Sequence, residues 1–132
     1  MSHASLDELY ARVTEAIRQS ESLAAKGRAR DAIIAYHEVS RIEEQIARIL
    51  PADDPEGALA RQGVVTAALD AGDITRAIER ARFYARAGGL SPAFRAEIDA
   101  LRREAEEALR ELQGGDEPMV VPVPFTLVLD AA

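Results

Sequence analysis

Apolar side chains recur every three or four residues along most of the chain, up to about position 112. This interval matches the 3.6-residue turn of an α-helix and places the apolar positions on one face. Glycine, proline and aspartate clusters interrupt the pattern, and such clusters typically stop one helix and start the next. The sequence therefore predicts five helices, bounded by Ser5 and Gly27, by about Arg28 and Leu50, by Pro55 and Ala71, by Ile74 and Ala87, and by Ser91 and Gly114.

Two local patterns strengthen this prediction. Ser5 and Glu8 have the spacing of a capping box, in which each side chain satisfies the other residue's backbone N–H. The second and fifth predicted helices carry apolar residues in alternating steps of four and three, which is a coiled-coil-like seam. Either internal packing or a homodimer contact would bury these seams, and internal packing is the more usual outcome.

The composition defines the core that the helices share. The 132 residues include 26 alanines, three Phe, three Tyr and no Trp. A core made from them is aliphatic and brings the helices close together. The length suffices for a single domain but not for two. We assign residues 1–115 to an all-α helical domain and residues 116–132 to a C-terminal tail.

Cysteine content and charge exclude several classes of protein. The chain has no Cys, so disulfide scaffolds, thiolate zinc sites and cysteine nucleophiles are excluded. The formal net charge of −7 argues against binding to a nucleic-acid backbone. No apolar run approaches the roughly 18 residues that span a bilayer, and the N-terminus lacks the pattern of a signal peptide. We therefore expect no nucleic-acid or membrane partner, and a cytoplasmic location.

The tail differs from the rest of the chain. Three prolines and a run of β-branched residues exclude a helix and predict an extended segment. In an extended segment alternate residues point to opposite faces, and every second residue of this one is apolar, so one face is apolar throughout. We expect this face to dock on the chain's own helices or on a partner. Docking in cis is favoured, because a free apolar strand invites aggregation. The predicted docking residues are Val121, Val123, Phe125, Leu127 and Leu129.

A pattern around two glycines repeats 45 residues apart. Gly27 and Gly72 stand at predicted turns, and each is followed five residues later by an Ala-Ile pair. The segments around them, about 10–50 and 58–92, resemble tetratricopeptide repeats, although the family's Trp and Leu-Gly positions are missing and its period is about 34 residues. The resemblance implies an antiparallel α-hairpin array that binds other polypeptides.

The residues that could act in catalysis or bind a metal do not have the spacing of a known catalytic or metal-binding motif. His37 begins a segment like a helical zinc-protease motif, but Arg41 stands where the second His is required. The pairs Glu43-Glu44 and Glu106-Glu107 lack the Glu-x-x-His partners of a di-metal bundle, so we interpret them as solvated helix faces. The sequence thus predicts a non-catalytic protein without a metal or cofactor.

A basic cluster on the fourth helix is the strongest polar candidate site. Helical spacing places Phe83 on the polar face, opposite the apolar stripe and between arginines. The functional interpretation is an anchor for an acidic segment of a partner, and the structural alternative is packing of Phe83 under the tail or a neighbouring helix. The arginines of this predicted surface are Arg76, Arg80, Arg82 and Arg86.

These observations predict a small adaptor or assembly factor that binds a partner polypeptide through its helical groove, its arginine and phenylalanine face, or its tail. The alternative is a homo-oligomeric building block in which the tail of one copy packs on the next.

Overall fold

Five α-helices and no β-strand make up residues 5–114, the part of the chain that the computed structural model describes. Consecutive helices pack together, and the third also contacts the fifth. The all-helical class predicted from the sequence is confirmed over these residues, and the predicted helix ends are within two residues of the observed ones. The helices are α1 (Leu6–Ala25), α2 (Ala29–Ile49), α3 (Pro55–Asp70), α4 (Ile74–Ala87) and α5 (Pro92–Leu112).

Side-chain caps start four of the five helices. The Ser5 hydroxyl accepts from the Glu8 N–H at 3.1 Å while the Ser5 N–H donates to Glu8 Oε1 at 2.9 Å, which confirms the capping box. The side chains of Asp54, Asp73 and Ser91 each accept one backbone N–H at the start of α3, α4 and α5, without the reciprocal bond of a capping box. These caps satisfy backbone N–H groups that have no partner within the helix, so they fix the helix starts locally.

The repeated glycines form two turns of the same geometry. Gly27 has φ +74° and Gly72 has φ +77°, a region that favours glycine because it has no Cβ. In each turn the glycine N–H binds a carbonyl three residues back, and the next N–H binds one five residues back. This is the Schellman arrangement that commonly ends helices. The sequence repeat therefore corresponds to a repeated helix stop.

Two hydrophobic clusters form the interior, and α3 belongs to both. One cluster joins α1, α2 and α3 around Ile42 and Ile46, and the other joins α3, α4 and α5 around Val64 and Ile98. Twelve of the 22 buried hydrophobic residues are alanine, so the prediction of a closely packed aliphatic core is confirmed within residues 5–114. The last residues of the two predicted seams are not buried: Ile49 is 50% exposed and Leu112 is 75% exposed.

None of the helices within residues 5–114 is both long enough and apolar enough to cross a bilayer.

Candidate functional site

Two of the four arginines of α4, Arg76 and Arg80, turn toward α2 and are half-buried. Arg76 Nη2 lies 2.8 Å from Glu44 Oε1, and Arg80 Nη1 lies 3.1 Å from Glu44 Oε2. Arg48 approaches the same carboxylate to 3.1 Å. One glutamate of α2 is therefore shared by three guanidinium groups, and two of them belong to the predicted partner-binding surface.

Ser40 extends this cluster into the core. Its side chain is fully buried, and its hydroxyl donates to the Val64 carbonyl at 2.8 Å while accepting from Arg76 Nε at 2.9 Å. Burial alone raises the pKa of Glu44, but the hydrogen bond from Arg76 and the charges of Arg76, Arg48 and Arg80 outweigh burial, so the net pKa of Glu44 is lowered. The cluster ties α2, α3 and α4 together by charge-assisted hydrogen bonds.

Arg82, Phe83 and Arg86 are the residues of the predicted surface that face solvent. Arg82 pairs with Glu106 of α5 at 2.9 Å. Phe83 is 45% exposed, and the Arg80 guanidinium lies 4.7 Å from the centre of its ring. Arg86 is exposed and makes no ion pair within the described part of the chain. Three of the four arginines thus form ion pairs within the chain, two of them half-buried and Arg82 at the surface, while Arg86 beside Phe83 is exposed and forms none among the described residues.

A second candidate surface lies between α1 and α3. Within the described residues no Cα atom of α1 comes within 8 Å of a Cα atom of α3, because α2 separates the two helices. The space between them is an open groove with α1 and α3 as walls and α2 as floor, and it contains two hollows of about 360 and 190 Å³. The smaller hollow is below the roughly 300–1,000 Å³ of pockets that bury drug-sized ligands and suits a single projecting side chain, whereas the larger lies at the lower end of that range.

Apolar side chains line both walls of this groove. Val13 and Ile17 project from α1, and Leu59 and Ala60 project from α3. Ile17 is 36% exposed and Leu59 is 56% exposed, so no described residue of the chain covers them fully. Exposed apolar side chains that share a concave surface are typical of interaction sites, whereas isolated ones need no explanation.

A hydrogen bond closes one end of the groove. The Tyr10 hydroxyl of α1 donates to Glu56 Oε1 of α3 at 2.6 Å. This hydrogen bond, together with burial and the charges of Glu56, Asp54 and Glu43, raises the pKa of Tyr10 to about 12. The bond ties the N-terminal part of α1 to the first turn of α3.

Glu43 stands at the junction of the two hollows, on the floor of the groove. Its carboxyl lies over Gly63 of α3, where an added Cβ would be 2.7 Å from Glu43 Oε2 and 2.8 Å from Cδ. Burial raises the pKa of Glu43 to about 7. No described residue forms a hydrogen bond or ion pair with this carboxyl. A half-buried carboxyl is thus held in a slot that a glycine keeps open.

The groove carries negative charge and no positive charge. Among the residues that line the two hollows there are four carboxylates and no Lys, Arg or His. Burial and the charge of Glu104 also raise the pKa of Asp70, at the end of the groove opposite Tyr10. The carboxylates of the groove are Glu21, Glu43, Glu56 and Asp70.

The sequence did not predict that Glu43 and Glu44 are shielded from solvent and belong to the candidate sites. Their interpretation as solvated helix faces is wrong, because Glu43 is half-buried in the groove and Glu44 is only 15% exposed within the arginine cluster. One signal was present: Gly63 stands in the middle of a helix, where it costs about 1 kcal/mol relative to Ala. A small residue at this position predicts close approach of a neighbouring helix, but what approaches is the Glu43 carboxyl.

Glu106 also departs from the solvated interpretation. It accepts from Arg82 and Arg102, and these hydrogen bonds lower its pKa. Within residues 5–114 no group of three or more His, Asp or Glu side chains is placed to hold a metal ion. The predicted docking residues of the tail, Val121, Val123, Phe125, Leu127 and Leu129, lie outside the described residues, so their role stays a prediction.

Comparisons with protein-family models, with curated proteins and with solved structures give no match to this chain.

Proposed function

We propose that this chain is a small non-catalytic adaptor or assembly factor that holds a segment of a partner polypeptide in the groove between α1 and α3. The observation that carries the proposal is the pair of exposed apolar side chains, Ile17 and Leu59, on facing walls of one concave surface. A partner that covers both walls gains the free energy of burying apolar area, at about 25 cal/mol per Å².

The arrangement of the helices supports the same proposal. Two glycine turns of identical hydrogen-bond pattern, at Gly27 and Gly72, separate α1 from α2 and α3 from α4. This repetition supports a tetratricopeptide-like array of helical hairpins, and that resemblance implies a scaffold for polypeptide binding.

Phe83 and Arg86 form a second proposed contact surface, suited to an acidic segment. Its tests are Phe83→Ala and Arg86→Glu, each of which is expected to weaken partner capture while the melting temperature changes little. Arg80→Glu is unsuitable, because it would place a second carboxylate beside Glu44. A large loss of stability in Phe83→Ala would assign Phe83 to the core.

The C-terminal tail is a third proposed contact. Deletion of residues 117–132 is expected to lower the melting temperature, since docking in cis adds buried apolar area to the folded state. An unchanged melting temperature would instead assign the tail a role in trans.

Affinity capture with groove variants tests the adaptor function. The full chain, its Leu59→Asp variant and its Ile34→Asp variant are used as baits in an extract of the native organism. Ile34 is the matched control, because it is 68% exposed but lies on the far side of α2, outside the groove. We expect the wild type and Ile34→Asp to retain a common protein that Leu59→Asp loses. Equal retention by all three baits would contradict the proposed site.

Homo-oligomerisation is the competing function. Light scattering on size-exclusion peaks at two concentrations separates it from the adaptor function, because self-assembly makes the mass depend on concentration. A constant monomer mass is expected.

A further inference from the structure

The chemistry of the α1–α3 groove restricts what can occupy it. Its walls are apolar, and its polar lining has carboxylates but no basic group among the residues described. An acidic segment entering the groove would meet like charge at a site partly shielded from water, where repulsion is stronger than in bulk solvent. A basic segment would be attracted along the whole length of the groove.

Glu43 is the residue of the groove with which a basic side chain of the occupant would pair. Its carboxyl is desolvated, lacks a partner among the described residues, and lies between the two hollows, so it faces any side chain that enters from the open side. A cation that pairs with this carboxylate offsets part of the cost of holding a charge there. The slot over Gly63 keeps the carboxyl at this position, although Ala at Gly63 would make a better helix former.

Two occupants from this same chain fit poorly. Residues 115–132 contain three carboxylates and no Lys or Arg, so the tail repeats the charge of the groove. In a second copy, Arg76, Arg80 and Arg82 of α4 are already paired with Glu44 and Glu106. Arg86 of a second copy stays unpaired among the described residues, but its contact with the groove of another copy would be head-to-tail, which forms rings or open filaments rather than a two-fold dimer.

We propose that the α1–α3 groove recognises a basic amphipathic segment of a partner polypeptide, with apolar side chains on Ile17 and Leu59 and one Lys or Arg paired with Glu43. The proposal deepens the adaptor function and rests on it. It assigns the partner's chemistry, and it makes Glu43 the specificity-determining residue of the groove.

Selection from a displayed library of random short peptides tests this assignment. The bait is the full chain at about pH 8, with Leu59→Asn as the control bait, in which this position of the groove wall is polar but no charge is added. We expect the enriched peptides to combine apolar residues with a Lys or Arg and to be lost on the Leu59→Asn bait. Enrichment of acidic or uncharged peptides, or no enrichment over an empty support, would overturn the proposal. The extract capture above decides the adaptor function separately.

The role of Glu43 is measured with one enriched peptide and its variant in which norleucine replaces the basic residue. We expect this replacement in the peptide to weaken binding to the wild type about tenfold. Binding to Glu43→Gln should change little, because the charge that the basic residue pairs with is already absent. Glu97→Gln, at an exposed position on α5, is the control for net charge and is expected to behave as the wild type. Equal losses on all three proteins would overturn the pairing with Glu43.

Gly63→Ala gives a second variant that acts on the same carboxyl. The three atoms nearest to the new Cβ all belong to the flexible Glu43 side chain, at 2.7 to 3.1 Å, so we expect the chain to fold with this side chain displaced from its position in the groove. We expect about tenfold weaker binding of the basic peptide with an unchanged or raised melting temperature. Unweakened binding would overturn the role of the slot.

The pH profile separates a charge pair from a merely structural role. The other titratable groups facing the groove are Tyr10 and Glu21 on α1, Tyr36 on α2, and Glu56 and Asp70 on α3. Because Glu43 must ionise to pair with a cation, binding to the wild type is expected to strengthen about tenfold from about pH 6 to about pH 8. Binding to Glu43→Gln is expected to stay nearly constant, and a parallel rise in both would overturn the proposal.

Finally, light scattering on the free chain excludes a second copy as the occupant. A concentration-dependent mass that Arg86→Glu or Leu59→Asp abolishes would overturn the proposal in favour of self-association.

Discussion

Glu43 and Glu44 are neighbours in sequence, but they respond to burial in opposite ways. Burial raises the pKa of Glu43 to about 7, because no guanidinium group reaches it. Glu44 is also shielded from water, but three arginines approach it and its pKa is lowered. The sign of each pKa shift therefore depends on whether a cation accompanies the desolvated charge.

Glu43→Gln is expected to stabilise the protein at alkaline pH. Between its unfolded pKa of 4.5 and its folded pKa of about 7, Glu43 binds more protons in the folded state, so it makes the free energy of unfolding fall as pH rises. Since one pKa unit is worth about 1.4 kcal/mol and solvent reaches part of this carboxyl, we expect a gain of about 1–2 kcal/mol in the variant at pH 8.

Urea denaturation at pH 4, pH 6 and pH 8 measures this effect. The difference between Glu43→Gln and the wild type should become small at pH 4, where Glu43 is mostly protonated in both states. Glu97→Gln is the control for removal of an exposed charge and is expected to change stability by less than about 0.5 kcal/mol. A loss of stability in Glu43→Gln at pH 8 would contradict the assignment of an unpaired carboxylate.

At the scale of elements, the arginine cluster joins helices that are not adjacent in sequence. α2 and α4 have no close backbone contact, and Arg76 and Arg80 bridge them through Glu44. Arg61 plays a related role at the end of α2, where it donates to the carbonyls of Ala47 and Leu50. Long side chains thus complete contacts that the small alanine residues of the core cannot reach.

Glu44→Ala is expected to lower the free energy of unfolding by about 1–3 kcal/mol, because it leaves the half-buried Arg76 guanidinium without its counter-charge. Glu15→Ala is the matched control: Glu15 pairs with Arg18 on the exposed face of α1, and its loss should cost less than about 0.5 kcal/mol. Thermal denaturation of both variants at pH 7 measures the difference, and equal costs would contradict a structural role for the cluster.

The pKa of Glu44 gives this prediction a pH dependence. The group is more acidic in the folded state, so the stability that it contributes is present above its unfolded pKa of 4.5 and is lost as pH falls through the lower, folded value. The stability gap between the wild type and Glu44→Ala should therefore narrow on acidification below about pH 4.

At the scale of the whole molecule, α3 contributes to both hydrophobic clusters, so we expect the two to unfold as one cooperative unit. Ala60 and Ala67 face the cluster with α1 and α2, while Val64 and Val65 face the cluster with α4 and α5. If either cluster unfolds, α3 loses the packing partners on one of its sides. We then expect α3 to be too unstable to hold the remaining cluster together.

Ile46→Ala and Ile98→Ala are expected to destabilise both halves together. Both residues are fully buried, Ile46 in the cluster of α1, α2 and α3 and Ile98 in the cluster of α3, α4 and α5. Each truncation should lower the free energy of unfolding by about 2–4 kcal/mol. Hydrogen exchange should then show faster opening of α1 and α5 alike in both variants. Faster exchange confined to the half that carries the substitution would show two independent units instead.

Much of the fold was predictable because its determinants are local. The capping box at Ser5, the glycine turns at Gly27 and Gly72, and the proline starts at Pro55 and Pro92 each act within a few residues of themselves. The candidate site was predictable only in part. Helical spacing correctly placed Phe83 on an exposed face, but it did not reveal which arginines meet a carboxylate from another helix.

The amino-acid sequence by itself determined where the helices of the described region begin and end and which faces they bury, because caps, turns and periodicity act over a few residues. Only the tertiary structure decided that Glu44 neutralises the arginines of α4, that Glu43 enters a slot over Gly63, and that an acidic groove opens between α1 and α3. These features depend on distances between helices far apart in the chain, and desolvation and Coulomb interactions follow those distances rather than sequence spacing.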